Sequence, residues 1–368
     1  MAKMSYLPKE LVEEILSRVP VKSMRTVRLT CKTWNTLSKH LGKAAPAREG
    51  ELMGILLANF RVYLMSFSHN NSESFIKPIG KLISLTNSDD IDVAFVCCCE
   101  GLLLLCTTKD KSSIVVWNMY TGQTRWICVE KYFDNDRMLI LYRYALGYDK
   151  SKSCSAQKIL RFANRHHSER YVTEIYEFKS NSWRVLDVTC DWFIEYCVCG
   201  VSLKGNMYWQ AASKDFEEDV PDFLLCFDFT EESFGPHLPL PFESCYYPDI
   251  VTLSAFGEEQ LAVLFQPSNR YGMEIWVTTK IEPSAVSWSK FLAVVDMMRP
   301  LYDGTFLIDE KKSRVVVFDA TNRRYKAYII GEKGYFKEVD LGKIAEPYSN
   351  MPTCSYVPSA VSSFDSWI

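Results

Sequence analysis

The chain has 368 residues, enough for two or three ordinary domains, and its 48% hydrophobic and 24% charged residues exclude wholesale disorder. A net charge of −3 offers no electrostatic footprint for nucleic acid or an anionic membrane. The longest apolar stretch, Val93 to Cys106, is broken by Glu100 and falls short of the roughly 18 residues that a spanning helix needs. We therefore predict no nucleic-acid partner, no membrane partner and a cytoplasmic or nuclear location. Acidic residues near the N-terminus stand where an export signal would have a purely apolar core, so we predict no export signal.

The first forty residues predict three short helices. Pro8 suits the first turn of a helix, and apolar residues then recur with a period of 3.6 until Pro20 ends it. Ser23 starts a second short helix, and a third carries apolar residues at spacings of three and four. The apolar positions of the first and third helices are Leu11, Val12, Ile15, Leu16, Val19, Cys31, Trp34, Leu37 and Leu41.

A helical segment of this size cannot bury all of its own apolar surface. Something else must cover Leu7, Ile15, Leu16 and Trp34. Either the rest of the chain does so or a second protein does, and the pattern favours a second protein.

After the helices the hydrophobic period changes to two. Short strand-like runs separated by turn residues predict an antiparallel sandwich, barrel or propeller. A loose repeat favours a degenerate propeller: a strand ending in an aromatic residue is followed by a polar turn and another aromatic. Its anchors recur roughly every 40 to 60 residues, near the length of a four-stranded blade; they are Trp117, Phe178, Phe229, Trp276 and Phe318.

The 13 cysteines are predicted to be reduced thiols, because their number is odd and several lie inside apolar runs where cysteine behaves as a small hydrophobe. The group Cys190, Cys197 and Cys199 lacks CxxC spacing, and the adjacent His166 and His167 have no acid or cysteine cluster beside them. No phosphate-binding glycine loop, HExxH or GxSxG motif occurs. We predict no catalytic residues, no metal and no cofactor.

Residues 7–20, LPKELVEEILSRVP, followed by VKSM and then by CKTW at 31–34, resemble an F-box. The resemblance implies a three-helix module that docks on the Skp adaptor of an SCF-type (Skp–cullin–F-box) ubiquitin ligase. Val27 stands where many F-boxes have Phe or Leu, which reduces the contact area. The adaptor-binding residues implied by position are Leu7, Pro8, Leu11, Ile15, Leu16, Val19, Pro20, Val27, Cys31, Trp34 and Leu37.

The rest of the chain is similar to the F-box-associated (FBA) domain of plant F-box proteins, which is described as kelch-like and binds the protein to be ubiquitinated. Met119 replaces the usual proline after the Trp-Asn pair. The segments that carry this resemblance are 61–66, 100–104, 115–118, 121–127, 145–149, 175–178, 200–206 and 225–229.

We therefore expect an α+β chain by segments, with a three-helix F-box at 1–41, a linker at 42–51 and an all-β substrate-binding domain, a degenerate propeller, at 52–368. The implied function is that of a non-catalytic substrate-recognition subunit, with the Skp adaptor, the cullin and RING subunits and an unknown substrate protein as partners. Three alternatives stay open. One is a lectin-like or small-ligand-binding propeller, another is a propeller oxidoreductase or hydrolase, and the third is an adaptor-bound F-box protein that acts outside a ligase.

Overall fold

A computed structural model of the chain describes residues 7–17, 19, 27, 30–39, 52–68, 75–81, 92–107, 113–119, 123–129, 142–151, 156–163, 172–195, 198–214, 220–244, 249–269, 271–294, 301, 304–310, 313–331, 334–344 and 353–356. These residues form two helices near the N-terminus and six β-sheets after them.

The first helix, α1, covers Lys9–Ser17, and the second described helix, α2, covers Lys32–Lys39. Helix α1 begins directly after Pro8, whose carbonyl accepts a hydrogen bond from the Val12 N–H at 3.1 Å. Pro8 therefore stands where a missing N–H has no cost, as the sequence predicts. Of the predicted middle helix only Val27 is described, and its backbone is helical. Pro20, Ser23 and Leu41 lie outside the described residues.

Cys31 directly precedes helix α2. Its carbonyl accepts a hydrogen bond from the Asn35 N–H at 3.1 Å, and its Sγ accepts one from the Trp34 N–H at 3.4 Å. A side chain that accepts a hydrogen bond from the backbone N–H three residues later is typical of a helix N-cap. The short CKTW motif thus fixes where α2 starts and places Trp34 on its first turn.

Sheets 1 to 3 follow each other along the chain, apart from one C-terminal strand. Sheet 1 has the order β26-β1-β2-β3, sheet 2 the order β4-β5-β6-β7, and sheet 3 the order β11-β10-β9-β8. Their strands are β1 (Leu52–Ala58), β2 (Arg61–Ser68), β3 (Phe75–Lys81), β4 (Val93–Cys99), β5 (Leu102–Thr107), β6 (Ser113–Asn118), β7 (Gln123–Cys128), β8 (Tyr142–Asp149), β9 (Ala156–Ala163), β10 (Thr173–Glu177), β11 (Ser182–Leu186) and β26 (Thr353–Ser355).

Sheets 4 to 6 continue the same pattern. Sheet 4 has the path β12-β14-β15-β16, with β13 also paired to β14 and β17 to β15; sheets 5 and 6 run β18-β19-β20-β21 and β22-β23-β24-β25. The strands are β12 (Trp192–Phe193), β13 (Val201–Leu203), β14 (Asn206–Ser213), β15 (Phe223–Asp228), β16 (Ser233–Phe234), β17 (Leu238–Pro239), β18 (Ile250–Phe256), β19 (Gln260–Gln266), β20 (Met273–Glu282), β21 (Ala285–Val294), β22 (Thr305–Asp309), β23 (Arg314–Thr321), β24 (Arg324–Gly331) and β25 (Phe336–Lys343).

Neighbouring strands in sheets 2 to 6 are antiparallel throughout, as are β2 and β3 in sheet 1. Successive sheets of about four antiparallel strands are the pattern of a β-propeller. The predicted all-β fold with propeller topology is confirmed, and the blade number, which the sequence leaves open, is six.

The chain divides into two compact units. The first consists of Met1–Ile55, Arg61–Glu130 and Ser355–Ile368, and the second of Leu56–Phe60 and Lys131–Cys354. Inside the second unit, strand β19 runs Leu261-Ala262-Val263-Leu264 with all four side chains fully buried. Alternate residues of a strand point to opposite faces, so an unbroken apolar run marks a strand buried on both faces.

The prediction of reduced cysteines throughout is wrong at two positions. Cys98 and Cys354 are each disulfide-bonded, whereas eight other described cysteines are not. Both bonded residues are half-buried on short strands. Disulfide formation requires a second sulfur at close range, which depends on the folded arrangement of the strands and leaves no trace in local sequence spacing.

Candidate functional site

The candidate site is the surface of helix α1 and of the residues just before it. Leu7 and Leu11 are four residues apart and expose 37% and 42% of their surface. Leu11 and the half-buried Ile15, four residues apart on α1, are neighbours on the helical surface, and Leu7 lies two residues before the helix begins. We call Leu7, Leu11 and Ile15 the outer stripe.

A second stripe on the same helix points into the module. Val12 and Leu16, again four residues apart, are buried, and Leu16 is fully inaccessible. They form a small core with Trp34 of α2, against which five half-buried residues pack: Ile15, Val19, Val27, Cys31 and Leu37. The helical module therefore buries part of its apolar surface by itself.

This core corrects the expectation that another surface must cover Leu16 and Trp34. Both are already buried against Val12 within the module, since α1 and α2 pack directly on each other. The expectation of an uncovered apolar surface remains appropriate for Leu7 and Leu11, and in part for Ile15.

The residues implied as adaptor-binding thus fall into three groups. Leu16 and Trp34 are buried and can shape the surface only from beneath it. Ile15, Val19, Val27, Cys31 and Leu37 are half-buried around that core, and Pro20 lies outside the described residues. The exposed members of the set are Leu7, Pro8 and Leu11.

Acidic residues border the outer stripe. Glu10 and Glu14 are exposed on α1 beside Leu11, and Glu13 forms an i,i+4 ion pair with Lys9 at 3.7 Å. The ion pair is exposed and contributes little to stability. The arrangement is an apolar contact area with a charged rim, which is the usual composition of a protein–protein interface.

Val12, an apolar position of the first predicted helix, is absent from the adaptor-binding set that the resemblance implies. It is as buried as Leu16 and equally part of the core. The signal was available in the sequence, because Val12 and Leu16 are spaced by four and so share a face. The period alone does not say which of the two adjacent stripes turns inward.

A buried ionic cluster lies in the second unit. The Lys158 ammonium donates to Glu232 Oε1 at 2.7 Å and to the Phe229 carbonyl at 3.0 Å, and lies 3.5 Å from Asp149 Oδ2. Arg184 pairs with the other oxygen of Glu232. Partial burial pushes the pKa of Glu232 upward, but the hydrogen bonds from Arg184 and Lys158 outweigh it and lower the pKa below its usual value. The cluster joins β8 and β9 to the turn after β15, which is a structural role.

The remaining ionisable residues bear on whether the described part of the chain could hold a metal. Among those residues, no three His, Cys, Asp or Glu side chains gather as metal ligands would. His237 is the one histidine among the described residues, and it stacks on Phe223 with ring centroids 3.7 Å apart. The pair His166 and His167 lies outside the described ranges. No helix in the described ranges has the length and apolar character required to cross a membrane.

Comparison with known proteins defines the class. Residues 4–43 match the F-box domain, and residues 53–363 match the F-box associated beta propeller domain. The chain belongs to the family of F-box proteins that carry an F-box-associated β-propeller.

Two plant relatives agree with this assignment. The F-box/kelch-repeat protein At3g16740 of Arabidopsis thaliana is 46% identical over 98% of this chain and 100% of its own length. The F-box protein At5g42460 of the same plant is 47% identical, with 98% of each chain covered. Among solved structures, TolB from Acinetobacter baumannii covers 83% of this chain and 66% of its own at 12% identity, with a TM-score of 0.47.

Proposed function

We propose that this protein is the substrate-recognition subunit of an SCF-type ubiquitin ligase. In this proposal the F-box module docks on a Skp-family adaptor, which connects it to the cullin and RING subunits. The propeller domain holds the protein to be ubiquitinated, whose identity is open. The chain itself performs no chemistry, because the recruited E2 enzyme supplies the reactive ubiquitin and the receptor only raises the effective concentration of substrate beside it.

The exposed outer stripe carries the proposal. A module that has already sealed Val12, Leu16 and Trp34 into its own core still leaves Leu7 and Leu11 in contact with solvent. Covering an exposed leucine gains on the order of 1–2 kcal/mol, so a partner surface that fits this stripe is favoured. The family of the chain makes a Skp-type adaptor the fitting partner.

Affinity purification from plant cells tests the whole proposal. The tagged full chain is expected to retain a Skp-family adaptor and cullin, and proteasome inhibition is expected to enrich a further protein, the substrate. Leu11→Asp should remove the adaptor, because a carboxylate placed in an apolar contact loses its hydration without gaining a partner.

Val185→Asp is the matched control. Val185 lies on β11 with 66% of its surface exposed, so it makes the same apolar-to-acid change on an open surface of the propeller. The control should retain the adaptor. Absence of any Skp-family adaptor with the native chain, or equal retention by Leu11→Asp, would refute the proposal.

A further inference from the structure

The turn that leads into α2 is held by the side chains of two consecutive residues. The Thr30 hydroxyl donates to the Val27 carbonyl at 2.6 Å, and the Thr30 N–H donates to the same oxygen at 3.1 Å. The next residue, Cys31, accepts the Trp34 N–H on its Sγ at 3.4 Å. Thr30 thus binds backward to the helical residue Val27, and Cys31 binds forward to the first turn of α2. We call Thr30 and Cys31 the turn pair.

The turn pair joins residues that lie around the core of the helical module. Val27, Cys31 and Leu37 are half-buried and pack against that core. All three belong to the adaptor-binding set that the F-box resemblance implies, and each keeps part of its surface accessible. Their relative placement depends on the direction in which the chain leaves Val27 and enters α2. The turn pair therefore fixes how this part of the surface is laid out.

The chemistry of the turn pair suits this role. Thr30 is exposed and lies outside the implied adaptor-binding set, and its hydroxyl is directed at a carbonyl of its own module. Cys31 combines two tasks, since its sulfur accepts a hydrogen bond at the helix start and its side chain packs on an apolar core. Serine is the stronger cap, but cysteine is the better small hydrophobe.

The helices beside the turn are too short to be stable by themselves. Helix α1 has nine residues and α2 has eight, whereas isolated helices of fewer than about 12–15 residues are marginal in water. The core that joins them consists of Val12, Leu16 and Trp34. The fraction of free chains in which Val27 and α2 are correctly placed is therefore sensitive to single hydrogen bonds. The apparent affinity for a partner falls in proportion to that fraction.

We propose that Thr30 and Cys31 are positioning residues for adaptor docking. They act through the placement of Val27 and α2, and the Thr30 hydroxyl acts with no contact to the partner. This deepens the proposed function and rests on it, because it concerns the surface that the adaptor contacts. Loss of the hydroxyl lowers the population of the docking-competent module before binding, and it leaves the contacts of the docked state unchanged.

Surface plasmon resonance of the purified full chain on an immobilised plant Skp-family adaptor tests the proposal. Thr30→Val keeps the shape of the side chain and removes the hydroxyl. We expect the affinity to fall about threefold to tenfold, the effect of one hydrogen bond, and we expect the whole loss in the association rate. The dissociation rate should keep its native value, because the docked contacts are the same. Cys31→Ala, which removes the cap, should also lower the association rate.

Three further variants give the comparison its controls. Thr30→Ser returns a hydroxyl to the same position and should bind with native kinetics. Thr36→Val makes the same change as Thr30→Val at an exposed position of α2 and should leave both rates unchanged. Leu11→Ala removes a side chain of the outer stripe and should raise the dissociation rate, as the loss of a direct contact does. Hydrogen exchange of residues 27–37 in the free chain should increase in Thr30→Val and stay native in Thr36→Val.

A native association rate for Thr30→Val, or a loss of affinity confined to the dissociation rate, would overturn the positioning role. A Thr30→Ser chain that binds as weakly as Thr30→Val would overturn it too, because the hydroxyl would then be irrelevant. Failure here is distinguishable from failure of the receptor role. A native chain that does not bind the adaptor refutes both, whereas native binding together with an unchanged Thr30→Val chain refutes the positioning role alone.

Discussion

Leu11 and Leu16 show how two residues of one type on one helix come to serve different purposes. Leu16 is enclosed by Val12 and Trp34, so its methyl groups contribute to the stability of the module. Leu11 lies on the outer stripe and is exposed. Its exposed surface contributes little to the stability of the isolated chain and, under the proposed function, is covered by the adaptor.

Truncation to alanine should separate the two roles. Leu16→Ala removes buried methyl groups and leaves a cavity, which costs about 2–5 kcal/mol in well-packed cores. Leu11→Ala removes surface that water already reaches, and the stability of the module should hardly change. Hydrogen exchange of the α1 backbone amides measures both, and equal loss of protection in the two variants would contradict this division.

Cysteine reactivity gives a second test at the residue scale. Burial raises the pKa of the Cys226 thiol to about 12, so at pH 8 almost none of it is the reactive thiolate. Cys128 on β7 is exposed and not disulfide-bonded. Brief iodoacetamide treatment of the native chain should alkylate Cys128 and spare Cys226 in peptide mass spectrometry. Rapid modification of Cys226 would show that sheet 4 is more open than described.

The buried pair Arg161–Glu174 shows how single elements are joined. The two residues lie directly opposite each other on β9 and β10, and the Arg161 Nε–H donates to Glu174 at 2.7 Å. The guanidinium also lies 4.7 Å from the ring centre of Trp183 on β11 and 4.8 Å from that of Tyr142 on β8. One charged side chain thus contacts all four strands of sheet 3.

Removing one partner of this pair should be costly. Glu174→Ala would leave a buried guanidinium without its countercharge, a change that typically destabilises by about 3–5 kcal/mol. Asp340→Ala is the matched control, since Asp340 pairs with Arg324 across β24 and β25 in an exposed position and should have little effect. Thermal unfolding compares the two, and similar shifts of Tm would contradict the importance of burial.

The ionic cluster around Lys158 should make sheet 3 sensitive to acid. The pKa of Glu232 is lowered in the folded state, so its contribution to stability is present above the unfolded pKa of about 4.3 and is lost as the pH falls through the folded value. The difference in Tm between the native chain and Glu232→Gln should be largest near pH 7 and should shrink as the pH falls through the folded pKa of Glu232. A constant difference would show that Glu232 acts by shape alone.

At the element scale, the sequence predicts that an aromatic residue recurs in successive sheets, but it does not predict which strand of the sheet carries that residue. Trp117 and Trp276 lie in the third strands of sheets 2 and 5, and Phe178 and Phe229 directly follow the third strands of sheets 3 and 4. Phe318 lies on β23, the second strand of sheet 6. Two strands that each carry an aromatic residue and are joined by a turn can form any hairpin of a sheet. The motif therefore locates hairpins, but it does not locate their position within the sheet.

The described residues combine a small helical module with six β-sheets. The class of both parts is legible in the sequence, because a 3.6-residue period changes to a period of two near residue 52. The sequence does not predict that Leu16 is buried and Leu11 exposed, because both belong to one apolar face. Packing against Trp34 buries Leu16 and leaves Leu11 exposed.

The molecule has an apolar outer stripe, Leu7, Leu11 and Ile15, and a large β domain that follows it in the sequence. The central claim is that this stripe binds a Skp-family adaptor. Calorimetric titration of the purified full chain with a purified plant Skp-family adaptor tests that claim most directly. We predict saturable one-to-one binding that Leu11→Asp weakens about 100-fold or more and that Val185→Asp leaves unchanged. Absence of binding by the native chain, or equal affinity of the native and Leu11→Asp chains, would contradict it.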